Sequence, residues 1–235
     1  MRIALLVFLG LHLAQSLIQN GRREQGVRRR LRPDLFLIQM PLFIIACGIA
    51  YKDGVLGREL LNPVYIAAGL VAGHVIFVIS LLTIHRCVSD AREVLLGFGA
   101  IWEFAVESPL ILSRYIGVAV TEEVIYRVGA QGTLIAYLGN PWLAIGVTAV
   151  VFSVVHAHFF RNSFTQSLEF VLFAVLLGVL YWLTNSLIFV IAIHAIRNVE
   201  IAYLEFLGKL EELGSEGEAL REVERSVVTQ QSDLA

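Results

Sequence analysis

From Arg2 to Gly208 the sequence is a succession of apolar runs, each close to the length of a membrane crossing. A transmembrane helix needs about 20 mostly apolar residues. Clear candidates lie at 2–19, 35–51, 63–84, 141–160, 167–184 and 186–207. The stretch 94–138 is less pure, carrying Glu103, Glu107, Arg114, Glu122, Glu123 and Arg127, and reads as two helices, 94–112 and 116–137. Apolar residues make up 57% of the chain and charged residues 16%, against about 25% charged in soluble domains. That much apolar surface cannot be hidden inside a soluble fold of 235 residues, so lipid is its solvent. The expected fold is an all-α polytopic membrane protein, a bundle of seven or eight transmembrane helices with a polar site inside the membrane.

Punctuation along the chain supports these spans. Asn62-Pro63 and Asn140-Pro141 are helix starts, with Asn as cap and Pro in the first turn. The loop 20–33 holds six arginines, Arg22, Arg23, Arg28, Arg29, Arg30 and Arg32, against one acid, Glu24. A basic loop between two spans is a topology signal and is expected on the cytoplasmic side. With eight spans the C-terminus would lie outside, with seven inside. Met1-Arg2 and the following run lack a clear small-x-small cleavage site, so the run is expected to stay as a first span. The expected organisation is 1–93 for N-terminal helices with the arginine-rich loop, 94–208 for a second helix bundle and 209–235 for an acidic, solvent-exposed helix and frayed tail.

Several function classes are excluded early. A net charge of −2 and the lack of a basic stripe interleaved with aromatics argue against nucleic acid. Cys47 and Cys87 have no CxxC spacing and read as free thiols. No serine sits in a G-x-S-x-G elbow, and neither cysteine lies in a nucleophile motif.

Ionisable groups within spans are costly, and each is a functional hypothesis. Three clusters stand out. In Glu122-Glu123-Val124-Ile125-Tyr126-Arg127, Glu123 and Arg127 are four apart and can pair. Glu122 points about 100° away, without a basic residue one turn on, and suits a general base or acid. Phe152 and His156 are four apart and read as one helical face, with His158 near the helix end as an interfacial anchor. His194 and Asn198 share a face and supply hydrogen-bond donors fit for an oxyanion, while Arg197 can pair with Glu200. The blander readings are buried ion pairs and interhelical polar glue. Together, the residues form the set needed for water attack on an amide: a base, a group that orients water, and oxyanion donors.

In order, Glu-Glu-x-x-Tyr-Arg, Phe-x-x-x-His and His-x-x-x-Asn resemble the CPBP intramembrane protease family, over roughly residues 94–205. That family includes endopeptidases that process CAAX prenyl proteins and bacterial relatives linked to bacteriocin immunity or protein sorting. The resemblance implies that Glu122 is the catalytic glutamate and that His156 helps activate water. It implies His194 and Asn198 as the oxyanion pair, with Glu123 and Arg127 in support. Tyr126 stands where phenylalanine is more frequent. It further implies a membrane-tethered protein substrate, cut near a C-terminal or juxtamembrane segment that is lipidated or carries a sorting anchor. The expected location is the cytoplasmic membrane of a prokaryote.

Members are often called metalloproteases, and Glu122, His156 and His194 would be the three ligands of a zinc version. The lack of H-E-x-x-H and the Asn in the last motif favour a mechanism without metal or other cofactor. Two other classes stay open: a proton- or ion-coupled transporter using the same polar groups, and a non-catalytic scaffold or immunity protein on the same fold. The lack of a repeated half weighs against the transporter.

Overall fold

The computed structural model describes residues 1–24, 33–55, 62–156 and 159–234. Most of the arginine-rich loop (25–32) and His158 lie outside the described residues. The protein is an all-α polytopic membrane protein; among the described residues there is no strand. In order, the helices are α1 (Arg2–Glu24), α2 (Pro33–Lys52), α3 (Pro63–Ser80), α4 (Val88–Leu96), α5 (Phe98–Glu107), α6 (Pro109–Glu123), α7 (Gly132–Leu138), α8 (Pro141–Val155), α9 (Phe164–Thr184), α10 (Leu187–Leu213) and α11 (Glu216–Leu234). Two π-helical segments interrupt this order, Leu81–His85 after α3 and Val124–Gln131 between α6 and α7.

Both expected Asn-Pro starts are realised. The Asn62 side chain accepts from the Val64 amide at 3.0 Å, and Asn140 from the Leu143 amide at 3.1 Å. Ser163 and Gln166 form a capping box at the start of α9, satisfying amides that have no partner within the helix. Helix α9 ends on Asn185 and α7 on Gly139, both at positive φ.

By length and composition, α9, α10 and the α3 helix with its π turn can each cross a membrane. The bent pair Phe98–Glu107 and Pro109–Leu138 would make a fourth span. Three shorter apolar helices, Arg2–Ile18, Leu37–Lys52 and Pro141–Val155, join them. Only with these three added to the four does the expected seven come out. Large apolar side chains face outward throughout, among them Ile3, Leu96, Trp102 and Val64. A soluble protein would not expose so many, and lipid covers them here.

The helix expected at 94–112 is instead broken twice. Gly97 separates α4 from α5, and Ser108-Pro109 turns the chain by 98°. Proline has no amide to continue the ladder and disfavours helical backbone in the residue before it, so Ser108 ends one helix and Pro109 starts the next.

The described residues fall into two compact units, one drawn from 1–61, 121–190 and 232–235, the other from 62–120 and 191–231. In the first unit, α1 and α2 pack on the π segment 124–131. A Cβ at Gly129 would come within 2.8 Å of Leu5 Cδ1 and 3.1 Å of Ala46 Cβ. The backbone of α9 approaches as closely. A Cβ at Gly178 would stand 2.9 Å from Gln131 Oε1, and Gln131 Nε2–H donates to the Gly178 carbonyl at 2.9 Å.

In the second unit, a Cβ on Gly73 of α3 would meet the Ile193 backbone of α10, 2.8 Å from its carbonyl oxygen. Small residues permit this backbone-to-backbone packing in membranes. The core of this unit joins Phe77, Ile101, Phe104 and Tyr203 with Val223 and Val227. The acidic C-terminal stretch is therefore not wholly exposed. Its first residues complete α10, and α11 buries Ala219, Val223 and Val227 in the core while its glutamates face out. The spacing of these apolar residues, four apart among acids, puts them on one helix face and drives that docking.

Candidate active site

The first unit holds the first two motifs. Glu122 and Glu123 are the last two residues of α6 and Glu123 caps the π segment, so the whole Glu-Glu-x-x-Tyr-Arg motif sits at an α-to-π junction. Eight consecutive residues in π geometry are rare, and such segments gather at functional sites. The sequence had suggested one continuous α-helix here.

Glu123 accepts from Arg127 Nε–H at 2.7 Å, as their spacing predicts, and both side chains are fully buried. Arg127 Nη1 and Nη2 have no hydrogen-bond partner among the described residues. The Phe152 ring lies under the guanidinium, 5.7 Å from its carbon. Tyr126 packs edge-on against the same ring at 4.9 Å. Glu123, Arg127, Tyr126 and Phe152 thus form one buried block.

Glu122 turns away from this block towards His156, and its Oε1 lies 3.3 Å from His156 Nε2. The sequence placed His156 on the helix; the structure ends α8 at Val155 and leaves His156 as its cap, in extended backbone. That change aims the ring. His156 Nδ1 is 2.6 Å from the Phe152 carbonyl oxygen, and a carbonyl can only accept, so Nδ1 carries a proton. Nε2 is left to face Glu122. The imidazole packs against the stacked Phe152 and Phe170 rings, at 4.5 and 5.1 Å.

Because Nδ1 is protonated, the Glu122–His156 contact contains one shared proton. Either Nε2–H donates to a carboxylate or a carboxylic acid donates to Nε2. The Glu122 side chain is 17% exposed and that of His156 8%, so the pair is sheltered but reachable.

Sequence reasoning missed one member of this neighbourhood. His12 of α1 is buried and lies within electrostatic reach of both His156 and Glu122. The signal was present: an ionisable side chain in the middle of an apolar run.

His194 and Asn198 belong to the second unit, on one side of α10, with His194 buried and Asn198 half-buried. Glu200 takes His74 of α3 as hydrogen-bond partner, Oε1 to Nδ1 at 2.6 Å, with Arg197 in electrostatic reach. The His74 ring stands edge-on to Phe98. His74 lies in the span 63–84, outside the three motifs, and only packing pairs it with a residue 126 positions away.

A zinc site fits these residues in part. The Phe152 carbonyl orients His156 as such a partner orients a metal-bound histidine, and Glu122 could be a second ligand. Among the described residues, however, no group of three His, Cys, Asp or Glu is arranged to hold a metal ion. Cys47 and Cys87 are free thiols.

Fold and site together define a polytopic helical membrane protein with a carboxylate–imidazole pair among its apolar helices. Within it, residues 104–199 match the family described as type II CAAX prenyl endopeptidase, Rce1-like, in agreement with the resemblance carried by the three motifs. The match supports a membrane protease of the general kind, acting on membrane-associated proteins. No curated protein and no solved structure matches the chain.

Proposed function

We propose that this protein is an intramembrane endopeptidase that hydrolyses a peptide bond near the C-terminal or juxtamembrane segment of a membrane-tethered protein. The observation that carries the reading is the Glu122–His156 contact, 3.3 Å long, sheltered and built from the first two motifs of the matched segment. In the working state His156 is the imidazolium and Glu122 the carboxylate. Nε2–H holds one carboxylate oxygen and leaves the other for water. Water attacks the scissile carbonyl carbon while Glu122 takes its proton, and the developing oxyanion needs donors, which the third motif assigns to His194 and Asn198. When the C–N bond breaks, Glu122 returns the proton to the leaving amine. Glu123 and Arg127 hold the junction that presents Glu122.

The test is cleavage of tagged C-terminal anchor peptides, prenylated and plainly apolar, by the purified chain in detergent. Wild type, Glu122→Gln and His156→Ala are run side by side, with and without a strong zinc chelator. Cleavage by wild type alone, resistant to chelator, is the expected result. Chelator-sensitive cleavage would move the mechanism to the zinc version. Undiminished cleavage by both variants would overturn the site and promote the scaffold and transporter readings.

A further inference from the structure

A hydrolase working among lipid-facing helices needs a local store of water, because the hydrocarbon around it supplies none. The inward stripe of α1 runs Leu5, Leu9, His12, Ser16, all buried. Its first half is apolar and seats α1 on the π segment at Gly129. Its second half is polar. His12 is 3% exposed, yet its Nδ1 has no hydrogen-bond partner among the described residues. One turn on, Gln15 is half-buried, and its solvent-shielded Oε1 also has no hydrogen-bond partner among the described residues. Ser16, beside them, is 5% exposed.

Buried polar atoms without a partner cost about 1–3 kcal/mol each, and proteins normally satisfy them with protein groups or ordered water. Two such atoms on one helix face, with a hydroxyl next to them, provide the polar partners a buried water requires. The patch lies in the same unit as Glu122 and His156, and α1 packs on α8, which His156 caps, and on the π segment that begins two residues after Glu122.

We propose that His12, Gln15 and Ser16 form a water-holding site on the first helix, which supplies the Glu122–His156 pair with the water it activates. The inference rests on the protease reading for its purpose, but not for its existence. Leu11, the neighbour of His12, is 51% exposed, yet in a bilayer it faces lipid. A thiol at position 12 would then be wetter than one at position 11, the reverse of their surface exposure.

The test uses the full chain in liposomes, with Cys47→Ser and Cys87→Ser as background. Single His12→Cys, Gln15→Cys and Leu11→Cys variants are exposed to a small, water-soluble methanethiosulfonate, which reacts with thiolate in water. Modification at 12 and 15 at least tenfold faster than at 11 is expected. Equal or slower modification at both positions would overturn the proposal. In parallel, His12→Leu, His12→Gln and Glu122→Gln are assayed on the prenylated anchor peptide. His12→Leu should lower kcat at unchanged KM and leave the unfolding temperature unchanged or higher, and His12→Gln, which keeps a polar atom, should recover most of the rate. Loss of cleavage in Glu122→Gln with wild-type kcat in His12→Leu sinks the water site alone. Fast modification at 12 and 15 with cleavage indifferent to Glu122 keeps the water site and sinks the protease reading.

Discussion

Phe152 decides which nitrogen of His156 faces Glu122. Its backbone carbonyl accepts a hydrogen bond from Nδ1–H at 2.6 Å, and Nε2 is thereby directed to Glu122 Oε1 at 3.3 Å. The acceptor is backbone, so it survives replacement of the Phe152 side chain, while the ring that cages the imidazole does not. Phe152 is 1% exposed, and Phe152→Ala is expected to cost about 3–5 kcal/mol of stability through cavity formation. Unfolding in detergent would measure it. Phe152→Leu should recover most of that loss, and with it the cleavage rate.

Glu122 is half-buried, whereas His156 is buried against the Phe152 and Phe170 rings. Glu122→Gln should therefore cost rate and not fold, while His156→Ala also opens a cavity. Each is expected to lower kcat by about 10²–10⁴-fold, the range for a general acid–base group. The melting temperature in detergent should stay close to wild type for Glu122→Gln and fall for His156→Ala.

The neighbouring carboxylate should behave in the opposite way. Glu123 and Arg127 are both fully buried and bonded at 2.7 Å. Removing one partner strands a charge away from water, at a cost of about 3–5 kcal/mol. Glu123→Leu should therefore destabilise the protein strongly, whereas Glu123→Leu combined with Arg127→Met should restore much of the loss. A double-mutant cycle on unfolding free energies gives the coupling. Independent, additive losses would show that the pair does not act as a unit.

Glycine positions offer a geometric check. Gly73→Ala puts a Cβ against the Ile193 backbone, which cannot step aside as a flexible side chain could. Loss of folded yield is expected, by about 1–3 kcal/mol or more. Gly99 and Gly146 lie within α5 and α8 with open space at the Cβ position. There, alanine should stabilise the helix by about 0.5–1 kcal/mol. The same thermal melts in detergent compare all three.

His74 and Glu200 test whether the third motif depends on its setting. The carboxylate side chain of Glu200 is fully buried and held by His74 at 2.6 Å. His74→Leu leaves that carboxylate without its hydrogen-bond partner and should lower stability. His74→Leu with Glu200→Leu should recover it. If the pair also sets the rotation of α10, cleavage will follow stability through the series.

Much of this protein could be read from local sequence. Apolar length marked the helices, and Asn-Pro pairs marked two of their starts, because spans and caps are decided by residues close along the chain. The i, i+4 spacing of Glu123 and Arg127 was enough to pair them for the same reason. The three motifs, read in order, pointed to the family that residues 104–199 match.

Other features needed the packed molecule. Whether Ser108-Pro109 merely kinks a helix or turns it by 98° depends on what each half packs against. The π geometry of 124–131 comes with the close seating of α1, α2 and α9 on that segment. His156 leaves the helix just where its ring can bond one turn back and still reach Glu122, a result of backbone angles that a spacing rule does not contain. His12 and His74 each stand alone as a histidine in an apolar run. His74 bonds Glu200, and His12 comes within electrostatic reach of Glu122 and His156, all more than a hundred residues away, and meetings at that range are settled by which helix faces come together, not by any one segment.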